Sequence, residues 1–325
     1  MNSIVNLAED RILITGAHGF LGRHVTSAFE AAGAKHLLRP THAELDLLDR
    51  AAVTNWFEQH RPSVVVHLAA VVGGIGANRR HPGRFFYENL VMGVDLIEAA
   101  RCFDVKKIVT VGTICAYPKF TPVPFQEDDL WNGYPEETNA PYGIAKKALL
   151  VMGQAYRQEY GTNAVYLLPV NLYGPHDDFN PMTSHVIPAL IRKMIEARDA
   201  GAGEVEVWGD GSPSREFLHV RDAARAIVLA TRHYDGADPV NIGTGGEITI
   251  KELAEQIREL AGFSGALKWN PDQPNGQPRR ALATDRAKAR FGFTAEIPFA
   301  TGLAETIAWW QAHGAEETGA EDKTT

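Results

Sequence analysis

The stretch that most constrains this chain lies in its first 22 residues. There Arg11-Ile12-Leu13-Ile14-Thr15 runs directly into Gly16-Ala17-His18-Gly19-Phe20-Leu21-Gly22. A short apolar run, three glycines spaced three apart and a periodic segment over residues 22–32 predict a strand, a tight turn and a helix. Glycine lets the backbone turn sharply and come close to a ligand. The first turn of the following helix offers unpaired N–H groups and a partial positive charge. The junction therefore reads as a phosphate cradle, with Gly16, His18, Gly19, Phe20, Leu21 and Gly22 as its candidate residues.

The alternation continues. Residues 64–70, 107–112 and 164–170 read as strands, and residues 85–101 and 142–160 as helices. Strands this apolar are buried on both faces, which requires a parallel sheet covered by helices on each side. The expected fold is α/β: a Rossmann-type doubly wound parallel sheet with a smaller α/β substrate lobe. Residues 1–172 plus about 217–244 form the expected dinucleotide-binding domain, with 217–220 and 239–242 returning to the main sheet. About 173–216 plus 245–313 form the second lobe, where Pro175, Pro181 and Pro188 break the alternation. The stretch 114–141 is long for a connection and reads as a lid or binding segment. Residues 314–325 read as a disordered acidic tail.

A net charge of −8 argues against nucleic acid as a partner, because phosphate neutralisation needs a basic face. No apolar run is long enough to span a bilayer, so no membrane partner is expected. The two cysteines lack zinc or redox spacing and suit a reducing compartment, so a soluble cytoplasmic protein is expected. Cys102 reads as an apolar filler of its helix, whereas Cys115 sits in a polar loop. His176-Asp177-Asp178 lacks a second histidine at ligand spacing, so the expectation is a helix cap and loop network and no metal.

After the second strand, Leu37-Leu38 runs into Arg39-Pro40-Thr41-His42 with no carboxylate before Glu44. An acidic residue there would read the ribose hydroxyl of NAD; a basic one accommodates the phosphate of NADP. The reading favours NADP(H), with Arg39 and His42 as phosphate partners. NAD(H) stays open, as does Arg39 as a plain solvated cation. Tyr142 and Lys146, at i and i+4, share one helical face. A neighbouring ammonium is expected to lower the phenol's pKa and make it an acid–base group. Thr113, at the carboxyl end of a strand, is placed to hydrogen-bond a carbonyl that receives hydride.

The glycine turn, Thr113 and the Tyr142/Lys146 pair make the chain resemble the extended short-chain dehydrogenase/reductase family over essentially its whole length. Five longer strings narrow the resemblance: residues 72–78 (VGGIGAN), 115–119 (CAYPK), 171–177 (NLYGPHD), 184–190 (SHVIPAL) and 215–220 (REFLHV). They resemble the branch that epimerises GDP-4-keto-6-deoxy-D-mannose at C3 and C5 and reduces it at C4 with NADPH, giving GDP-L-fucose. The resemblance implies that Cys115 and His185 are the acid–base pair for epimerisation, a thiol and an imidazole that both titrate near neutrality. It implies Leu68, Ala69, Ala70, Asn89, Val111, Gly112, Pro169, Asn171 and Leu172 as further cofactor contacts, together with Thr113, Tyr142, Lys146 and His185. Substrate contacts by the same resemblance are Asn171, Val186, Lys193, Trp208, Arg215, Asn275, Arg279 and Arg280, although Trp208 reads equally as core. The partner is then a GDP-linked keto-deoxy sugar, and the assembly a homodimer.

Thr113, Lys193 and Asn275 depart from the branch's usual serine, arginine and aspartate, which leaves another GDP-4-keto sugar, a deoxyheptose or colitose precursor, as the alternative. A 4,6-dehydratase is disfavoured because Ile114-Cys115, not an acidic pair, follows Thr113. A simple C4-epimerase has no use for Cys115 and His185. A non-catalytic NADP sensor would be expected to lack Tyr142 or Lys146.

Overall fold

The apolar runs of the N-terminal half lie side by side in the computed structural model, which describes residues 4–273 and 277–321. In chain order they are β1 (Arg11–Thr15), α1 (Phe20–Ala31), β2 (His36–Leu38), α2 (Arg50–His60), β3 (Val64–His67), α3 (Ile75–Arg80), α4 (Pro82–Cys102), β4 (Lys107–Val111), α5 (Ala140–Tyr160) and β5 (Ala164–Pro169). With β10 (Val240–Ile242), the strands make a six-stranded parallel sheet in the order β2-β1-β3-β4-β5-β10. Ile12, Leu13, Ile14, Val64, Val65, Val66, Ile108 and Val109 are completely buried. Such strands need apolar cover on both faces, and two helix groups supply it, α1 with α7 (Val220–His233) and α2 with α4 and α5.

The second half differs from expectation at one strand. Residues 217–220 were expected in the main sheet, but β9 (Phe217–His219) pairs in parallel with β6 (Asn171–Tyr173) in a separate two-stranded sheet. β5 ends at Pro169, and Val170 still donates to the Ile242 carbonyl at 3.0 Å before the chain leaves the sheet for β6. The remaining elements are α6 (Val186–Asp199), β7 (Glu204–Trp208), β8 (Ser214–Arg215), β11 (Ile248–Thr249), α8 (Ile250–Ala261), β12 (Ala266–Asn270), β13 (Arg279–Arg280), α9 (Asp285–Phe291) and α10 (Phe299–Glu321). β7 pairs with β12, and β8 lies between β11 and β13.

Burial separates two apolar clusters. The larger lies on the six-stranded sheet; the other joins Ile191, Met194, Leu253, Ile257, Phe263, Leu303 and Trp310. Leu282, Ala287, Phe291 and Phe293 belong to the sheet's cluster although they fall inside the stretch 245–313 read as second lobe.

Two further expectations are corrected. The backbone is helical to Glu321 in α10, where a disordered tail was expected from residue 314. Cys102 is exposed rather than a core filler, because it lies at the solvent side of α4's last turn, where its thiol donates to Glu98 at 3.4 Å. The connection between β4 and α5 holds two 3₁₀ turns, Ile114–Ala116 and Glu127–Trp131, and is tied to α5 by the Lys147 ammonium donating to the Leu130 carbonyl. Among the described residues, no helix is long and apolar enough to cross a membrane.

Candidate functional site

The glycine turn wraps the end of β1. Gly16 takes a φ of +70°, and a Cβ there would stand 2.9 Å from the Ala69 backbone, so the turn lies hard against the segment leaving β3. At Gly22 a Cβ would meet the Gly16 carbonyl oxygen at 2.0 Å, which pins α1 to the turn. Gly19 is the N-cap of α1 and brings no side-chain bond to its first N–H groups. An uncapped helix start above a glycine turn fits the pyrophosphate of a dinucleotide. His18 Nε2 lies 3.0 Å from the Arg39 carbonyl, which sets the end of β2 beside the turn. Arg39 pairs with Glu30 at 3.3 Å and His42 lies 3.9 Å from Asp46, all on the surface. Phe20 and Leu21 open α1; Leu68, Ala69 and Ala70 follow β3. Asn89 is buried, and its amide clamps Val71 N (3.1 Å), Val71 O (2.9 Å) and Phe85 O (2.7 Å), tying α4 to the segment after β3.

At the carboxyl end of β4, Val111 and Gly112 lead to Thr113, whose hydroxyl accepts the Cys115 N–H at 3.1 Å and is hydrogen-bonded to Tyr142. Gly112 is required for close packing, since a Cβ would stand 2.4 Å from the Tyr166 hydroxyl. Lys146 is buried, and its ammonium donates to the Val111 carbonyl at 3.2 Å. The expected lowering of the Tyr142 pKa is not found. Burial pushes the phenol up, the Cys115 thiol adds to that, and the Thr113 hydrogen bond opposes it. The same burial pulls Lys146 down to about 8, with no carboxylate among the described residues opposing the shift.

The Cys115 thiol lies 3.8 Å from Arg280 Nη1 and is close enough to Tyr142 to act on its phenol. His185 is the N-cap of α6, followed by Val186, and the surrounding protein pulls its pKa down while Asp178 opposes the shift. The His185 loop is braced by the segment before α3, with the Gly74 N–H donating to the Thr183 carbonyl at 2.8 Å. Pro169 ends β5; Asn171 and Leu172 open β6, and the Asn171 amide donates to the Glu216 carbonyl at 3.0 Å.

Trp208 is half-exposed, with the Lys193 ammonium 5.8 Å from its ring centroid, so the reading as core is set aside. Arg215 and Arg280 are in register on β8 and β13; Arg279 pairs with Glu247. Asn275 lies outside the described residues. His176 caps no helix; it holds a φ of +68° and packs against His24 and Trp309. Among the described residues, no group of three or more His, Cys, Asp or Glu could hold a metal.

Two buried polar residues, His67 and Glu216, were missed, and Asp177 was read only as part of a cap and loop network. His67 ends β3, its Nδ1 2.9 Å from the Thr15 hydroxyl and its Nε2 without a partner; burial, then Lys146, holds its pKa well below the usual range. Burial pushes Asp177 up to about 8, and its Oδ2 has no partner. Glu216 is fully buried. The only signal for His67 was a histidine inside an apolar strand, and for Glu216 a carboxylate following Arg215.

A doubly wound sheet with a glycine turn after its first strand and a Thr–Tyr–Lys group after its fourth is the architecture of dinucleotide-dependent epimerases, dehydratases and reductases. The chain belongs to the NAD dependent epimerase/dehydratase family, whose model matches residues 12–243. It is 42% identical over 301 residues to a probable GDP-L-fucose synthase 1 of Oryza sativa subsp. japonica, covering 92% of each chain. Against the GDP-L-fucose synthase of Escherichia coli (strain K12) it is 39% identical over 313 residues, 94% of this chain and 97% of the other. The structure of a GDP-L-fucose synthetase from Naegleria fowleri bound to NADP matches with a TM-score of 0.89 at 27% identity, covering 97% of this chain and 98% of that one.

Proposed function

We propose that the chain is an NADPH-dependent enzyme that epimerises GDP-4-keto-6-deoxy-D-mannose at C3 and C5 and reduces it at C4 to GDP-L-fucose. The observation that carries this reading is the Cys115 thiol, 3.8 Å from the Arg280 guanidinium and acting on the Tyr142 phenol. A plain reductase needs no thiol beside its proton donor; an epimerase needs one more acid–base group. The relatives named GDP-L-fucose synthase support the same assignment.

The ketone at C4 acidifies the C–H bonds at C3 and C5, so a base can remove a proton and an acid can return one to the opposite face. Cys115 serves as the base and His185 as the acid. The hydroxyls of Thr113 and Tyr142, bonded to one another, hold the C4 oxygen and stabilise the enolate charge that builds there. Once both centres are inverted, Tyr142 gives its proton to the C4 oxygen. Lys146 is the buried cation behind the phenol. Residues 16–22 hold the cofactor's pyrophosphate, and Arg39 and His42 its 2′-phosphate. Bound NADPH supplies the hydride that C4 receives. Lys193, Trp208, Arg215 and Arg280 hold the nucleotide sugar, the aromatic face packing on base or sugar and the guanidiniums on phosphate.

The proposal extends to a cytoplasmic homodimer. Phe86 and Tyr87 on α4 and Val151 on α5 are exposed apolar side chains on two helices that pack together, which supports a paired face there. Light scattering is expected to return twice the chain mass of 35.6 kDa. The activity is tested by mixing the protein with the GDP-keto sugar and NADPH, following the nicotinamide absorbance and identifying the product by NMR. Absence of oxidation would sink the reading; faster oxidation with a GDP-4-keto deoxyheptose or the colitose precursor would move the sugar assignment.

A further inference from the structure

Glu216 is a completely buried carboxylate that the chemistry above does not use. Its Oε1 accepts the Gly245 N–H at 2.8 Å, the Thr244 hydroxyl at 3.3 Å and the Thr244 N–H; its Oε2 accepts the Leu282 N–H at 2.6 Å. The residue's own N–H donates to the Arg280 carbonyl at 3.0 Å, and its carbonyl accepts from the Asn171 amide at 3.0 Å. One residue thus joins β6, the turn between β10 and β11, and the segment leaving β13. The turn is shaped for it, because a Cβ at Gly243 would stand 2.2 Å from Oε1.

What it joins is fragile. β8, β11 and β13 are two residues each, and β8 and β13 carry Arg215 and Arg280 in register on adjacent strands. Like charges opposite one another on neighbouring strands repel. Burial, then Arg280, pulls the Arg215 pKa down to about 10. Two-residue strands contribute few ladder bonds against that repulsion. Hydrogen bonds from backbone N–H groups to a buried carboxylate are charge-assisted and strong, and they grip the flanks of β11 and β13 from one point.

We propose that Glu216 is a positioning residue that clamps the β8, β11 and β13 strands so that Arg215 and Arg280 stay preorganised for the diphosphate of the nucleotide sugar. This rests on the function proposed above, and Glu216 acts only through the two arginines.

Two variants break the clamp by different routes. Glu216→Gln keeps the shape but turns an amide NH₂ towards N–H donors. Gly243→Ala keeps the charge and drives the carboxylate off the turn. With GDP as the probe in calorimetry, both are expected to raise Kd about tenfold or more, and to raise KM for the sugar alike. The KM for NADPH is expected to stay within about twofold, a split from GDP affinity that general loosening of the fold would not give. A folded variant of either kind that binds GDP like the wild type overturns the proposal, as does parallel loss of NADPH affinity. If Glu216→Gln does not fold, Gly243→Ala decides alone. A wild-type protein that binds no GDP would overturn the substrate reading itself, an outcome distinct from either variant result.

Discussion

Replacing Gly22 by alanine puts a methyl 2.0 Å from the Gly16 carbonyl oxygen, 2.7 Å from Ala17 Cα and 2.8 Å from Ala17 C. All three are backbone atoms, so relief requires α1 or the turn to move by more than about 1 Å to reach ordinary contact near ~3.5 Å. Overpacking of this kind costs about 1–3 kcal/mol even where side chains can yield, and here none can. Alanine returns about 1 kcal/mol of helix propensity, leaving a net loss of roughly 2 kcal/mol. For a chain of 325 residues that lowers the melting temperature by roughly 3 °C. Gly19 provides the control within the same turn, since its Cβ would meet nothing nearer than 3.4 Å. Gly19→Ala costs only the difference between glycine and alanine as N-cap, about 1 kcal/mol at most. Both proteins should be melted without cofactor by circular dichroism, so that binding does not mask the difference. A Gly22→Ala protein that melts with the wild type would refute the close approach, and equal losses in both variants would refute its specificity.

Tyr142→Phe is expected to cut NADPH oxidation by about 10²–10⁴-fold while deuterium still enters at C3 and C5, read by NMR in deuterated water. Lys146→Met should abolish reduction yet raise stability at pH 7. The folded pKa of about 8 lies below the unfolded 10.5, so charging the buried ammonium costs about 3 kcal/mol below pH 8. Loss of the hydrogen bond to Val111 offsets about 1 kcal/mol of the gain, and the advantage should fade as pH rises from about 8 to 10.5. Asp177→Asn should raise the melting temperature more at pH 8 than at pH 5, because the folded carboxyl keeps its proton up to about 8 while the unfolded one releases it near 3.8. An equal shift at both pH values would contradict that protonation.

The fold was legible where burial imposes a pattern. β1, β3 and β4 are apolar on both faces, and only a covered parallel sheet explains that, so their order and the glycine turn followed from residues 11–22 and 64–70. β9 was misplaced because its three residues are as buried as a central strand, and which strand they pair with is not written in their hydrophobicity. In the candidate site, Tyr142 and Lys146 were visible from helical spacing, but their electrostatics were not. Whether an ammonium lowers a phenol's pKa depends on burial, which spacing does not report. Glu216 and His67 were invisible for a similar reason: a lone carboxylate or imidazole acquires meaning only from the backbone groups folded around it.

The central claim is that one cleft both epimerises and reduces. It is tested most directly by turnover of GDP-4-keto-6-deoxy-D-mannose with NADPH in deuterated water, counting oxidised nicotinamide and locating deuterium in the product. The account predicts one NADPH consumed per sugar and GDP-L-fucose labelled at both C3 and C5. A reduced sugar that keeps the mannose configuration and carries no deuterium at those carbons, or no oxidation at all, would contradict it.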